Sequence, residues 1–327
     1  MELVSIQYSN ATRRYQQIKE IFKKKATSIY ESGRFHNGKY SVQLKEWLSD
    51  FKHYPYVILT SSGTASLYVM ASYFKQYYDN VLTTPYTFKA THNAFKRAGF
   101  KVNYTTLDPN TLNGRWDTSE LIDGNHFHCL VGIFGAQPTF KNDVSCSIMD
   151  GCQNWIRNQD NLSTAISFDP TKTIASNGNG GAILTEDCNL FEYSNKFISH
   201  GSDVSGLNLR MTELECAYVL SQIDFLDNWM IIREQILDEY KKAFGSYLIY
   251  PDRDDLKALQ EHDCQKAVLR INNPEKVSKE LLEGFGIMSK VLYPEQEIIN
   301  NTLSIPLYPE LTTKEINRII SSISAFL

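Results

Sequence analysis

A lysine lies in the middle of the chain, at a place where an ordinary solvated surface charge is unusual. Lys172 ends the stretch "SFDPTK" (167–172), and the glycine-rich stretch "TIASNGNGGAILT" follows it. A lysine held at a fixed point can bond covalently to an aldehyde when burial or nearby cations lower its pKa. One exposed lysine beside a loop would explain these residues equally well, so the interpretation depends on what accompanies Lys172.

An aspartate upstream ends a predicted buried strand. Asp150 is the last residue of "CSIMD" (146–150). In an open α/β sheet, the carboxyl ends of the strands border the ligand crevice, so a carboxylate there can pair with a protonated ring nitrogen. Taken alone, Asp150 is explained more simply as the cap of the next helix.

A run of small residues further upstream is suited to binding phosphate. "SSGTASL" (61–67) follows the predicted strand 56–60 and opens a helix. The unpaired N–H groups and partial positive charge of a helix N-terminus favour an anion. The signal alone is modest, because an ordinary N-cap has a similar sequence and the run matches neither GxxxxGK nor GxGxxG.

The order of these features is more specific than any one of them. A phosphate cradle, an aromatic-bearing turn, a strand-end aspartate, and then a serine and a lysine five positions apart follow one another along the chain. A pyridoxal phosphate (PLP) site on an α/β sheet needs this set of groups. The cradle holds the phosphate, the aromatic covers the ring, the carboxylate keeps the ring nitrogen protonated and the lysine bonds to the aldehyde.

Short apolar strands alternate with helical patterns in the first two thirds of the chain, which predicts an α/β domain with a mostly parallel sheet flanked by helices. A helical segment (11–25) precedes it, and 164–168 and 181–185 are predicted as neighbouring strands around the lysine loop. A long helical run (211–244) then leads into mixed strands and helices. We therefore predict a large PLP-binding domain over 1–210, and a linking helix with a smaller α+β domain over 211–327.

Composition excludes several classes of function. The chain has 327 residues and a net charge of −4, without the basic excess typical of nucleic-acid-binding proteins. Its apolar stretches are too short to span a bilayer, and its N-terminus does not resemble a signal peptide. Six cysteines without CxxC spacing and seven dispersed histidines predict reduced thiols in a cytoplasmic protein and no metal site.

The motifs as a set resemble the DegT/StrS-type sugar aminotransferases, a branch of the fold-type-I PLP enzymes. The resemblance covers nearly the whole chain, and its motifs occur in the family's order. They are "SGRFHNG" (32–38), "SSGTASL" (61–67), "TPYTFKATHNAFKRAG" (84–99), "MDGCQ" (149–153), "SFDPTKTIASNGNGGAILT" (167–185), "HGSDVSGLNLRMTELECAYVLSQIDFLD" (200–227) and "LSIPLYPELTTKEINRII" (303–320).

The resemblance implies a role for individual residues. Lys172 matches the lysine that bonds to PLP, and Asp150 matches the partner of the ring nitrogen. The matches for cofactor contacts are Gly63, Thr64 and Ala65 in the phosphate loop, Phe88 stacked on the ring, Gln153 near the ring hydroxyl, Ser167 on the phosphate, and Asn208. Asn208 matches an asparagine that reaches the phosphate of the neighbouring subunit, which implies a homodimer with shared sites.

The implied activity is transfer of an amino group from an amino acid, glutamate in the family, to a keto-sugar nucleotide for amino-sugar or polysaccharide biosynthesis. The cofactor would alternate between PLP and pyridoxamine phosphate (PMP). Two alternatives stay open. PLP/PMP-dependent sugar dehydratases of the same family have histidine at the lysine position, so Lys172 argues against them, whereas a catalytically silent PLP-binding regulator would keep the fold. Substrate contacts are expected from 30–38, 180–210 and 288–300.

Overall fold

The computed structural model describes residues 5–116, 126–136, 138, 147–154, 162–249, 264–296 and 299–327. Seven strands form one large sheet in the order β1-β7-β6-β5-β4-β2-β3. Its strands are β1 (Tyr56–Thr60), β2 (Asn80–Thr83), β3 (Lys101–Tyr104), β4 (His126–Val131), β5 (Ser147–Asp150), β6 (Ser163–Ser167) and β7 (Gly181–Thr185).

The large sheet is mostly parallel, and β7 is the strand that runs against its neighbours. It pairs antiparallel with β1 on one side and with β6 on the other, while the remaining pairs are parallel. All five residues of β7 are buried, as expected for a strand covered on both faces. The predicted fold class and the predicted pairing of 164–168 with 181–185 are confirmed.

Helices cover both faces of the large sheet. In the described chain the helices are α1 (Ala11–Ser32), α2 (Lys39–Lys52), α3 (Gly63–Phe74), α4 (Ala90–Arg97), α5 (Cys188–Phe197), α6 (Glu213–Leu220), α7 (Leu226–Phe244), α8 (Pro274–Phe285) and α9 (Thr313–Ser324). Apolar residues of α3, α4 and α5 pack on one face of the sheet, and those of α2 and α6 pack on the other. No described helix has both the length and the apolar character needed to cross a membrane.

A second, three-stranded antiparallel sheet has its own core. Its strands are β8 (Ala267–Arg270), β9 (Lys290–Val291) and β10 (Thr302–Ile305), with β10 in the centre. One side of α7, together with α8 and α9, packs against this sheet and contributes nine buried apolar residues to its core. The N-terminal segment also joins this unit, because Ile6 N donates to Gly286 O at 2.7 Å and Met288 N donates to Ile6 O at 2.9 Å. The division at residue 210 stays a prediction; α6, just beyond it, packs on the large sheet.

The sequence predicted one helical run over 211–244, and in this respect the prediction is wrong. The run consists of α6, a short turn of tighter helix at Ile223–Phe225, and α7. Gln222 lies at the break, fully buried, and its amide donates to Ala175 O and accepts from Ala175 N. At the break, the Gln222 side chain binds the backbone of the loop that follows Lys172.

A glycine lets the start of β7 lie directly against the start of α3. A Cβ added to Gly181 would be 2.5 Å from Ser62 C and 2.6 Å from Gly63 N. Both are backbone atoms, which cannot rotate away as a side chain can. The absence of a side chain at Gly181 therefore allows β7 to begin against the backbone that starts α3.

We expect Gly181→Ala to destabilise the protein by about 1–3 kcal/mol, because the new methyl group overpacks a backbone contact that cannot relax locally. The free energy of unfolding, measured by urea denaturation, checks this. Gly178→Ala is the matched control, since its added Cβ would have its nearest neighbour at 3.7 Å, in ordinary contact with Glu215. Equal stability of the two variants would contradict the expected clash.

Candidate active site

A cavity of about 530 Å³ opens at the edge of the large sheet where its parallel strands end, and the small sheet forms the opposite wall. Seven of the nine predicted site residues line it: Gly63, Thr64, Phe88, Asp150, Gln153, Ser167 and Lys172. Ala65 and Asn208 are not among the described residues that line the cavity. The structure thus brings most of the predicted set together, while their individual roles stay predictions.

Lys172 lies in the loop between β6 and β7, and its backbone is held at two points. Its N–H donates to Asp169 O at 2.9 Å, and its carbonyl accepts from Arg14 Nη1 at 3.0 Å. Arg14 is only 4% exposed, packs over the Trp229 ring at 5.4 Å and lies 3.8 Å from a carboxylate oxygen of Glu310. A buried guanidinium from α1 therefore fixes the backbone from which the lysine side chain extends.

The environment of Lys172 lowers the pKa of its amine below that of an ordinary lysine. Burial is the largest cause, and the positive charge of Lys266 acts in the same direction. Both disfavour the protonated form. A larger share of Lys172 is therefore the neutral amine, the form that attacks an aldehyde or accepts a proton.

Asp150 ends β5, and the surrounding structure fixes its carboxylate. It is 5% exposed; Oδ2 accepts from Thr91 Oγ1 at 2.6 Å, and Oδ1 accepts from Cys152 N at 3.1 Å. The parallel strands place this carboxylate at the same sheet edge as Ser167, the last residue of β6. A buried, oriented carboxylate of this kind suits a protonated ring nitrogen.

The start of α3 forms a narrow part of the cavity wall. Ser62 caps the helix, with its Oγ accepting from Ala65 N at 3.1 Å, so this N–H is already used within the helix start. Gly63 and Thr64 precede it in the first turn, where backbone N–H groups lack partners within the helix. A Cβ on Gly63 would be 2.6 Å from Cys152 Sγ and 2.8 Å from Ser167 Cβ, so only glycine fits there.

Two aromatic side chains flank the opening. Phe88 follows β2, is 51% exposed and lies 6.4 Å from the Tyr293 ring, centroid to centroid. Tyr293 is buried, and Gln153 Nε2 donates to its hydroxyl at 2.9 Å. Phe88 thus has an open face at the cavity, whereas the Gln153 amide is engaged by a tyrosine from the small sheet.

Asn208 lies outside this cavity on an exposed stretch before α6. Its backbone bridges Ser199, and its Oδ1 accepts from Arg210 Nε at 3.3 Å. The predicted contact with a neighbouring subunit stays a prediction.

Sequence reasoning missed several residues that build the site. They are Tyr8, Arg14, Thr91, Lys266, Lys290 and Tyr293. Lys290 and Tyr293 fall in the predicted substrate segment 288–300, which contributes Lys290 to Glu295 to the cavity wall. Gly180 comes from the segment 180–210, and none of the described lining residues comes from 30–38. Tyr8 carries no signal in the sequence, because its place depends on the pairing of Ile6 with the small sheet.

The set of donor groups fits PLP. The cavity presents helix N-terminal N–H groups and hydroxyls for a phosphate, a buried carboxylate for a ring nitrogen, an exposed aromatic face for the ring and an amine of lowered pKa for an aldehyde. By contrast, among the described residues no cluster of three or more histidine, cysteine, aspartate or glutamate side chains could hold a metal ion.

Comparison with known proteins gives a family match. A model of the DegT/DnrJ/EryC1/StrS aminotransferase family matches residues 16–120 and 159–297. A pleiotropic regulatory protein of Geobacillus stearothermophilus is 23% identical over 96% of each chain. A 3-oxo-glucose-6-phosphate:glutamate aminotransferase of Bacillus subtilis is 23% identical over 91% of this chain and 78% of its own length.

A nucleotide-sugar enzyme is equally similar. A UDP-2-acetamido-2-deoxy-3-oxo-D-glucuronate aminotransferase of Pseudomonas aeruginosa is 23% identical over 90% of this chain and 93% of its own length. Among solved structures, NtdA from Bacillus subtilis with bound PMP has a TM-score of 0.85 at 22% identity, covering 100% of this chain and 86% of its own. At this identity the structural likeness shows the fold.

The lowered pKa of Lys172 predicts a pH dependence of stability that Lys172→Met lacks. In the unfolded chain the pKa of a lysine is about 10.4, whereas in the folded protein the pKa of Lys172 is lower. At a pH between these two values, the unfolded chain therefore binds more protons at Lys172 than the folded protein does. The free energy of unfolding of the wild type therefore rises with pH across this window, relative to the variant. Urea denaturation of protein without added cofactor at several pH values up to about 10 measures the difference.

Lys279→Met is the control for this comparison, because Lys279 is 71% exposed on α8. The difference in free energy of unfolding between Lys279→Met and the wild type should stay nearly constant over the same pH range. A constant difference for Lys172→Met as well would contradict a lowered pKa at Lys172.

Proposed function

Because the chain belongs to the DegT/DnrJ/EryC1/StrS aminotransferase family, we propose that it moves an amino group from glutamate to a keto-sugar nucleotide with PLP as cofactor. The sequence resemblance to this family is confirmed by the match to its model. The observation that carries the proposal is that one cavity holds the Lys172 amine, the Asp150 carboxylate and the helix start at Gly63 and Thr64. These are the groups that a PLP-dependent transaminase requires.

Different residues would bind different parts of the cofactor. The first turn of α3 and Ser167 would bind the phosphate, Phe88 would cover the ring, and Asp150 would keep a proton on the ring nitrogen. When bound, PLP supplies an aldehyde and an electron-withdrawing ring. Thr91 and Cys152 N hold the Asp150 carboxylate at its place throughout.

Lys172 has two successive tasks in this scheme. The lowered pKa of its amine favours the neutral form that would hold PLP through the aldehyde. As a free amine, Lys172 Nζ would act as the general base that accepts the proton from the α-carbon of the amino donor, and the resulting ammonium would then act as the general acid that donates this proton back within the same cavity. Arg14 keeps the Lys172 backbone fixed while the side chain moves between these tasks.

The similar proteins support a sugar as the acceptor. One is named as acting on a UDP-linked 3-oxo sugar, and another on a 3-oxo sugar phosphate with glutamate. A regulatory role is the second candidate, since a relative of equal identity is named as a pleiotropic regulator. The dehydratase alternative is disfavoured because those enzymes have histidine where this chain has Lys172.

Isotope-labelled glutamate tests the transfer. With PLP present, we expect labelled nitrogen to appear in a keto-sugar nucleotide from a panel that also includes keto-sugar phosphates, as detected by mass spectrometry. Lys172→Ala should lower the rate at least about 100-fold, because it removes the general acid–base group. Circular dichroism controls for its folding.

Each other outcome has a distinct meaning. A product that has lost oxygen and gained no labelled nitrogen would favour the dehydratase. PLP uptake without transfer to any acceptor of the panel would contradict the transaminase and favour the regulator. Labelling of sugar phosphates alone would shift the acceptor class.

The homodimer and the cytoplasmic location are part of the same proposal. Asn208 is exposed and is not among the described residues that line the cavity, as expected of a residue that serves a neighbouring subunit. The described cysteines Cys129, Cys152, Cys188, Cys216 and Cys264 are free thiols, which suits a reducing compartment.

We expect Asn208→Ala to weaken PLP binding about tenfold or more, the value of a hydrogen bond to a charged group, while the dimer persists. Mixing Lys172→Ala subunits with Asn208→Ala subunits should restore activity, because one of the two sites in a mixed dimer then has both native residues. Sedimentation measures the mass of the assembly. Asn110→Ala, which makes the same substitution outside the proposed shared site, is the control for PLP binding and activity. A monomeric active enzyme, or no restoration on mixing, would contradict the shared site.

A further inference from the structure

The cavity extends beyond the residues assigned to the cofactor, and two lysines from the small sheet line this further part. Lys266 directly precedes β8, and Lys290 opens β9. They lie on the wall opposite the large sheet, which carries Asp150 and Ser167. The family motifs in the sequence do not include either lysine, so their presence in the cavity is a feature of this chain's structure.

The charge balance of the two walls differs. On the large-sheet wall, Asp150 and Asp169 are balanced by Lys89 and Lys172. Both acids are also engaged: Asp150 accepts from Thr91 and Cys152, and Asp169 Oδ1 accepts from the backbone and hydroxyl of Thr171. On the small-sheet wall, the described charged lining residues are Lys266, Lys290 and Glu295. This wall therefore has an excess of positive charge facing the space where a substrate would sit.

The N-terminal segment holds Lys290 at the cavity. Its ammonium lies 4.4 Å from the centroid of the Tyr8 ring, within the range of a cation–π contact. The Tyr8 hydroxyl in turn shares a hydrogen bond of 2.8 Å with Ser304 Oγ of β10. Pairing of Ile6 with Gly286 and Met288 fixes the segment, so Lys290 rests on a supported surface rather than on a mobile one.

Lys266 is close enough to the reacting amine to affect it. Its charge is the second cause, after burial, of the lowered pKa of Lys172. The Lys266 charge therefore already favours the neutral form of Lys172 that the reaction needs. The same cation can also bind a negatively charged group that a substrate brings toward Lys172.

We propose that Lys266 and Lys290 form a subsite for an anionic oxygen group of the substrates, either the carboxylate of the amino donor or the phosphate of the sugar acceptor. The inference rests on the proposed function, since it names a substrate group for that site. In an alternating reaction, donor and acceptor occupy the same cavity in turn, so one cationic subsite can serve both. Lysine ammonium groups act here as point charges on carboxylate or phosphate oxygens.

Direct binding separates the two sources. Isothermal titration of PLP-loaded protein uses glutarate, an unreactive dicarboxylate, as the probe for the donor and uridine diphosphate as the probe for the acceptor. Lys266→Gln and Lys290→Gln should each lower the affinity for one or both probes by about tenfold, which corresponds to the loss of one charge-assisted hydrogen bond. Lys266→Arg and Lys290→Arg should retain most of the affinity, because they keep the charge.

Lys279→Gln is the matched control for loss of one positive charge from the small-sheet unit, since Lys279 lies exposed on α8. It should leave both affinities unchanged at moderate salt, where distant surface charges are screened. Thermal denaturation of all variants controls for folding. If only the affinity for glutarate falls, the subsite binds the donor carboxylate. If only the affinity for uridine diphosphate falls, the subsite binds the phosphate of the acceptor. If both affinities fall, it binds both groups.

Unchanged binding of both probes in both glutamine variants would overturn the proposal, and so would a wild type that binds neither probe. These outcomes are independent of turnover. If lysine-dependent binding is present but no nitrogen is transferred to any sugar, the subsite stands and the proposed function fails. If transfer occurs with lysine-independent binding, the function stands and the subsite fails.

Discussion

The site depends on one close approach between two backbones. The start of β7 lies so near the Ser62–Gly63 peptide that a methyl group on Gly181 would be 2.5 Å from a backbone carbon. Because β7 is antiparallel and lies between β1 and β6, the loop that carries Lys172 must end at this point. Strand packing therefore places the lysine loop beside the start of α3.

Buried polar side chains hold the functional loops where the sheet hydrogen bonds end. Arg14 binds the carbonyl of Lys172, Gln222 binds both backbone groups of Ala175, and Thr91 binds Asp150. A buried polar group left without a partner costs about 1–3 kcal/mol, so each of these contacts is strongly specified. The loops keep one conformation because helices from distant parts of the chain supply partners for their backbone.

The small sheet completes the cavity with groups of a different kind. The large sheet and its helices provide the Asp150 carboxylate, the Lys172 amine and the start of α3, which are the groups proposed to hold the cofactor. The small-sheet unit and the N-terminal segment provide Tyr293, Lys290 and Tyr8, which line the opposite side of the cavity. This separation is consistent with a catalytic apparatus held on one unit and substrate recognition carried on another.

The amino-acid sequence by itself determined the fold class, because strands and helices leave local patterns of apolar residues. It also determined the family and the candidate catalytic pair Lys172 and Asp150, because the motifs that carry them occur in a fixed order along the chain. It did not indicate the helix break at Gln222, which a helical periodicity conceals. Only the tertiary structure decided that Arg14 reaches Lys172 and that Lys266 and Lys290 enter the cavity. Those contacts join residues far apart in the chain, and their positions depend on how two sheets and the N-terminal segment pack, which no local pattern encodes.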